Sequence, residues 1–430
     1  MQKDLHIPPC KSKSAKSTVA LIFVVFFSTF ATMMITPILS VYFKELGLTR
    51  IQVGRIEGWA NGIACLSKFL SGVCSDRIRK RKLLIVCGTA LSIITKGSFA
   101  LATGWASILA VQVCDRFAKG VRSCPLDAMI SEVTCNKRRA YSLKHAVFLC
   151  ACIIGSFVTY KMLRIPGIHM KSIFYVAMIP AIFAYLLSAK YLHDVDCPPN
   201  EQTFTNQGQT SAYNEQISAA QEQTFASQRQ NVDSKNLIKS TDPFLWKLFG
   251  ILFLLTFARF GMSFLGLKAM DAGIVPAKLP LLHMLYDTCA AISALFVVAT
   301  SSRLGVKTLF KFSLIIHMIG HVFVAVNHAP SLIWGGTILF GTHLGLFQGT
   351  TLYMISTCTK PHNRATVFSI YYLITGVGLW CSNHVAGGLS QIDPSLAFFG
   401  GAVACLGALV LFSRIYRGAT PITLRQNTCE

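Results

Sequence analysis

Apolar runs of about twenty residues, broken by short polar turns, recur along this chain from residue 18 to residue 414. A helix needs about 20 mostly apolar residues to cross a bilayer. Runs of that kind fall at 18–43, 54–75, 83–102, 106–127, 145–163 and 172–191. Six more follow at 244–267, 279–300, 308–326, 331–355, 366–388 and 395–414. The pattern predicts an all-α membrane protein with 12 transmembrane helices in two sets of six. Between the sets lies a polar, Gln-rich stretch with a near-duplication, "EQTFTNQ" at 201–207 and "EQTFASQ" at 222–228. It has too little apolar surface to offset the entropy of folding, so a disordered linker is expected there. The predicted organisation is a tail at 1–17, a bundle at 18–192, the linker at 193–243, a second bundle at 244–416 and a tail at 417–430.

The two halves resemble each other when superposed in register. A shift of 226 lays "ELGL" (Glu45–Leu48) over "DAGI" (Asp271–Ile274), and Asp76-Arg77 over Ser302-Arg303. A shift of 225 lays Gly120 over Gly345, the "MIS" at 129–131 over the "MIS" at 354–356, and Arg139 over Arg364. Parallel six-helix repeats build a midplane site that opens alternately to either side of the membrane.

Composition agrees with the hydropathy pattern. Apolar residues make up 53% and charged residues 13%, about half the charge of a soluble domain. The net charge of +22 could suggest nucleic acid, but many cations sit in short turns between apolar runs and no basic, aromatic groove accompanies them. No nucleic acid is therefore expected as a partner. The 15 cysteines contain no CxxC pair, which indicates neither a zinc site nor a disulfide framework. Lysines 3, 11, 13 and 16 precede the first apolar run, which is too long for a signal peptide and is expected to remain as a span.

Orientation follows from the turns. Cations collect at the N-terminus, at 76–82, at 137–144, at 303–307 and at 360–364, whereas "TGW" (103–105) and "VNHAPS" (326–331) have none. Basic turns stay cytoplasmic. Both termini are expected inside a plasma (inner) membrane, with lipid around a monomer.

The turn after the second run reads Gly72, Asp76, Arg77, Arg79, Lys80, Arg81, Lys82. It resembles the G-x-x-x-D-R-x-G-R-K/R-K/R loop of the major facilitator superfamily of transporters, with Arg79 at the family's glycine. The fourth run is similar to that family's R-x-x-Q-G pattern in Arg116 and Gly120, with Lys119 at the glutamine position. The longer "DRFAKGVRSCPLDAMISE" (115–132) resembles a bacterial branch, with Leu126 at that branch's arginine. The resemblance covers nearly the whole chain and implies a secondary transporter. It also implies a conformational latch made of Gly72, Asp76, Arg77, Lys80 and Arg81, with Arg303 in the second copy. An acid there can pair in one state and release in the other.

Ionisable groups inside a span cost about 2.5–3.5 kcal/mol each, so each one is a site candidate. Asp115, Arg116 and Lys119 lie in the fourth run, with Asp115 and Lys119 at i,i+4 spacing. Arg259 lies in the seventh run; Glu57 and Asn61 in the second map by the 226 shift onto His283 and Asp287 in the eighth. The expected substrate-binding set is Arg116, Lys119, Arg259, Glu57 and Asn61. The expected proton-coupling set is Asp287, His283 and Asp115, with Arg259 as counter-ion to Asp287. His317 and His321 share i,i+4 spacing but bring no carboxylate, so no metal and no cofactor is expected. The glycines 341, 345 and 349 predict close helix packing.

No Walker loop is present, so ATP is not expected to drive the protein, and neither HExxH nor GxSxG points to an enzyme. The expected function is secondary transport of a small solute, an organic anion or other polar metabolite, with a coupling proton. Drug efflux and membrane sensing are the alternatives.

Overall fold

The computed structural model describes residues 13–78, 80–133, 137–192, 243–326, 329–359 and 364–418. Most of the expected tails and of the expected linker lie outside the described residues. Among the described residues there are fourteen α-helices and no strand, as a lipid-exposed backbone requires every amide to be satisfied within its own segment. Span 1 is α1 (Lys13–Ile35) and α2 (Leu39–Glu45), joined through a 3₁₀ turn at Thr36–Ile38. Spans 2 to 6 are α3 (Arg50–Ile78), α4 (Arg81–Leu101), α5 (Trp105–Val133), α6 (Lys137–Met162) and α7 (Met170–Tyr191). Span 7 is α8 (Pro243–Thr256) and α9 (Met262–Asp271). Spans 8 to 12 are α10 (Leu279–Leu304), α11 (Val306–Val326), α12 (Pro330–Thr357), α13 (Arg364–Ile392) and α14 (Leu396–Gly418). All twelve expected spans are present, and the helices run a few residues past the apolar runs.

On length and apolarity alone, seven segments among the described residues qualify as membrane spans. Spans 2, 4, 7, 10 and 11 fall short because polar residues or a break interrupt them, and these are the spans that carry most of the chemistry described below. The lipid-facing surface is apolar, with Ile94, Leu295 and Val403 among its most exposed side chains.

Helix packing repeats between the halves. Span 1 packs on spans 5 and 6, and span 4 on spans 2 and 3; likewise span 7 packs on spans 11 and 12, and span 10 on spans 8 and 9. Turns repeat as well. At the end of α2, Leu48 N–H donates to Phe43 O (3.0 Å) and Gly47 N–H to Lys44 O (3.0 Å). At the end of α9, Ile274 N–H donates to Ala269 O (2.9 Å) and Gly273 N–H to Met270 O (3.1 Å). Gly47 (φ 67°) and Gly273 (φ 83°) supply the left-handed residue that this helix stop requires. The "ELGL" and "DAGI" segments are thus the same turn built twice.

Close approaches repeat too. A Cβ on Gly120 would run into the Ser67 hydroxyl of span 2, and a Cβ on Gly345 into the Ser293 hydroxyl of span 8. Gly341 sits as tightly against the backbone of Tyr286, while Gly349 faces only Val297 Cγ1 at 3.8 Å. Overpacking costs about 1–3 kcal/mol. Gly120→Ala and Gly345→Ala are expected to lower the unfolding midpoint in detergent, with Gly349→Ala close to neutral. Equal midpoints for all three would show that these contacts are not tight.

The two ends of the bundle differ. One end carries the basic turns (the basic end) and the other holds the turns after α2 and α9 (the far end). A continuous apolar core at the far end draws on both halves, with Tyr42, Phe43, Phe99 and Phe174 beside Phe264, Leu279, Phe340 and Phe398. Toward the basic end the cores separate. Leu21, Ile85, Met129 and Leu192 belong to the first half alone, and Leu245, Phe310, Tyr371 and Phe412 to the second. The halves are sealed together at the far end and have individual cores at the basic end.

Candidate functional site

In the first half, charge sits at mid-membrane on spans 3 and 4. One helical turn sets Lys119 beside Asp115, Nζ to Oδ2 at 2.5 Å, as their spacing predicts. Packing of α4 on α5 then brings in a second cation, Lys96, whose Nζ lies 3.6 Å from Asp115 Oδ1. Thr95 Oγ1 donates to the same oxygen at 3.3 Å, and Lys96 Nζ donates to Ser92 Oγ at 2.7 Å. Arg116, one position on, turns toward span 1. With Gln112, Lys96 and Lys119 it faces Thr32 and Thr36 across a void of about 10 Å³, room for about one water.

Three basic side chains (Lys96, Arg116, Lys119) meet one acid (Asp115) at this wall. Arg116 Nε and Gln112 Nε2 are buried donors without an acceptor. Buried donors normally find one, so the wall offers both positive charge and unused hydrogen bonds. Asp115, assigned to proton coupling from sequence, is held by two lysines here.

In the second half, span 7 breaks between α8 and α9 at residues 257–261. Side chains from three other spans meet this break and the start of α9. His317 and His321 of α11 both place Nε2 on Ala258 O, at 3.1 and 2.8 Å. Gly261 N–H donates to Asn383 Oδ1 of α13 at 2.7 Å. Ser263 Oγ donates to Glu57 Oε1 of α3 at 2.5 Å. Glu57 is thereby set at the N-terminus of α9, where a helix favours negative charge. The buried Glu57, expected to bind substrate, lies across the interface between the halves. Asn61, one turn further along α3, is partly buried.

A second link closes the far end. Arg50 at the start of α3 is ion-paired with Asp271 at the end of α9, and its backbone N–H donates to Gln391 Oε1 of α13 at 3.1 Å. Neither Arg50 nor Gln391 stood out in the sequence, because each lies at the end of a span where charge is common. Only the repeat alignment, which pairs Asp271 with Glu45, marked that turn.

Losing the Glu57–Ser263 bond leaves a buried group unpaired, at about 1–3 kcal/mol. Glu57→Ala is therefore expected to shift the resting population from the far-end-closed form by roughly five- to a hundredfold. A spin-label pair on the exposed Lys44 and Lys278 should show a longer distance population. An unchanged distance distribution would mean that Glu57 does not hold the gate.

Asp287 and His283 lie one turn apart on α10, and Cys152 of α6 is within electrostatic reach of Asp287. His283 is buried, but no hydrogen bond joins it to Asp287. Arg259 is not the counter-ion expected for Asp287. Among the described residues the ion pairs within 4 Å are Arg50–Asp271, Lys96–Asp115, Lys119–Asp115 and Lys144–Asp127. The break in span 7 aims Arg259 at α12, where its guanidinium lies 4.9 Å from the centre of the Phe347 ring. Asp287 is left as a partly buried carboxylate with no cation beside it.

Of the expected latch, Gly72, Asp76 and Arg77 belong to the last turns of α3, with side chains outside the described set. Lys80 and Arg303 are exposed, and Arg81 opens α4. In the second copy Gly305 keeps the sharp turn, at φ 73°.

The match to known proteins is broad. A transporter of Methanocaldococcus jannaschii, described as an uncharacterized MFS-type transporter, is 24% identical over 411 residues, covering 93% of this chain and 95% of that protein. The quinolone resistance protein NorA of Staphylococcus aureus is 26% identical over 184 residues, 40% of this chain and 45% of its own. Among solved structures, the nucleoside transporter NupG superposes with a TM-score of 0.72 at 13% identity, covering 94% of this chain and 99% of its own. A bacterial homolog of the human lysosomal transporter Spinster, in an inward-facing and occupied conformation, superposes with a TM-score of 0.71 at 13% identity over 95% and 98%. The sequence model of the Major Facilitator Superfamily matches residues 21–274. With twelve spans in two repeated bundles and a match over more than half its length, this chain belongs to the Major Facilitator Superfamily of membrane transporters.

Proposed function

We propose that this transporter moves a small organic anion by alternating access, coupled to protons, with its basic end in the cytoplasm of a plasma (inner) membrane. The observation that carries the substrate class is the wall of spans 3 and 4, where three basic side chains meet one acid and buried Arg116 and Gln112 donors lack acceptors. A cation at membrane depth is costly and is kept where it binds something. Arg116 and Lys119 are the binding groups, and Asp115 with Lys96 fixes their positions. Arg259 faces the corresponding region of the second half from the break in span 7. Under this reading Glu57 is part of the far-end gate, Asn61 lines the adjoining turn, and the loop at Asp76 is the opposing latch at the basic end. Asp287 carries the proton, with His283 nearby.

The experiment is a thermal-shift panel on the detergent-purified protein with anionic, neutral and cationic metabolites at matched concentration. Organic anions are expected to raise the unfolding midpoint, because a ligand that binds only the folded state stabilises it. A second reading, efflux of a toxic compound, rests on the similarity to the quinolone resistance protein over 184 residues. It predicts stabilisation by aromatic or cationic drugs with no response to anions, which would overturn the anion reading.

A further inference from the structure

His317 and His321 each carry one accounted nitrogen and one that is not. Both Nε2 atoms contact the Ala258 carbonyl, which can only accept. Each Nε2 must therefore bear the hydrogen, and each Nδ1 is left with a bare lone pair. His317 is 6% exposed and His321 2%, and neither Nδ1 has a hydrogen-bond partner. Two unmet lone pairs in an apolar wall are expensive. One histidine would have served the carbonyl.

A third ligand lies beside the pair. Cys405, on α14 and fully buried as a free thiol, places Sγ so that it and one ring nitrogen of each histidine all lie within 4.8 Å of one another. One turn earlier on α14, Gly401 leaves the space that the His321 ring occupies; a Cβ there would collide with it. Phe260, Phe340 and Phe398 pack around His321. The His343 ring stacks on His317 with centroids 3.8 Å apart. The other nitrogen of a metal-bound histidine commonly donates to a backbone carbonyl, which fixes tautomer and ring angle. That second shell is already in place.

We infer that His317 Nδ1, His321 Nδ1 and Cys405 Sγ form a three-ligand site for a soft d10 metal ion. Thiolate and imidazole together select Cu+ or Zn2+. Bonds of about 2.0–2.3 Å would bring the three ligand atoms about 3.4–3.8 Å apart. Binding displaces the Cys405 proton, which leaves with solvent. Charge favours the monovalent ion. Cu+ with one thiolate and two neutral imidazoles is neutral, whereas Zn2+ leaves +1 near Arg259, which lines the same cavity of about 120 Å³ as both histidines. That cavity has room for a water as the fourth ligand that Zn2+ would need. The bound ion ties spans 9 and 12 to the break in span 7.

The test uses the full-length protein in detergent, titrated anaerobically with Cu+ held by bicinchoninate and, separately, with Zn2+ held by a chromophoric chelator. Wild type is expected to remove one more equivalent of Cu+ than Cys405→Ser or His321→Gln, the comparison cancelling uptake by the other cysteines. One more equivalent of Zn2+ instead would keep the site and change the ion. Equal uptake of both ions by wild type and variants would overturn the site. Should the variants fail to fold, wild type alone decides. Its unfolding midpoint should rise with Cu+ or Zn2+ and fall back with chelator, and a midpoint indifferent to both ions would overturn it equally.

Discussion

Arg116→Ala is expected to leave a folded, membrane-inserted protein that has lost most of its transport. The guanidinium faces span 1 from a wall already organised by Lys96, Asp115 and Lys119, and its Nε has no acceptor inside the protein. Removing it breaks no internal ion pair within 4 Å, so the fold should tolerate the change. What is lost is a charge-assisted hydrogen bond to the solute, about 1.5–3 kcal/mol, or roughly ten- to more than a hundredfold in affinity. Arg116→Lys keeps the charge and loses the fork, so a partial rescue is expected. Uptake into proteoliposomes at matched protein level reads the result. Near-normal uptake by the alanine variant would remove Arg116 from the site.

The second large effect is expected at Asp287. A carboxylate with no cation within 4 Å, in the interior of span 8, can take up and release a proton as its access to either side changes. Asp287→Asn keeps the size and removes the titration. The variant is expected to lose uphill accumulation driven by a pH gradient, while downhill exchange stays within a few-fold of wild type. Its repeat counterpart is the neutral Asn61, so the fold has already accommodated the amide at this point of the other half. A variant that keeps its full response to a pH gradient would make Asp287 a packing residue. The expected Asp287–Arg259 salt bridge is no longer an alternative, since Arg259 stacks on Phe347 instead.

How much of this was legible in the sequence depends on the range of the interaction. The twelve spans were readable because a lipid environment writes itself into every twenty residues. Five of them fail a stricter test of length and hydropathy, yet each still reads as a mostly apolar run between polar turns. Local pairs were readable as well: Asp115–Lys119 is one helical turn, and "ELGL" and "DAGI" carry their shared stop in Gly47 and Gly273. What the sequence could not show were meetings between spans. Lys96 has no acidic partner on its own span and meets Asp115 only because α4 packs on α5. Nothing local to Glu57 reveals that α9 begins beside it. Cys405 was one of many cysteines in apolar runs, and the histidine pair lacked a third ligand only because that ligand is 84 residues beyond His321. The break in span 7 is announced by little more than Arg259 and Gly261 amid apolar residues.

The central claim is that solute and proton move together through one alternating-access cycle, and proton flux measures it most directly. Wild-type proteoliposomes with a pH-sensitive dye inside and no initial pH gradient are given the anion that raises the unfolding midpoint most. The account predicts a change in internal pH that begins with anion entry, scales with anion concentration and disappears in both Arg116→Ala and Asp287→Asn. Anion entry at full rate with the internal pH unchanged would contradict it.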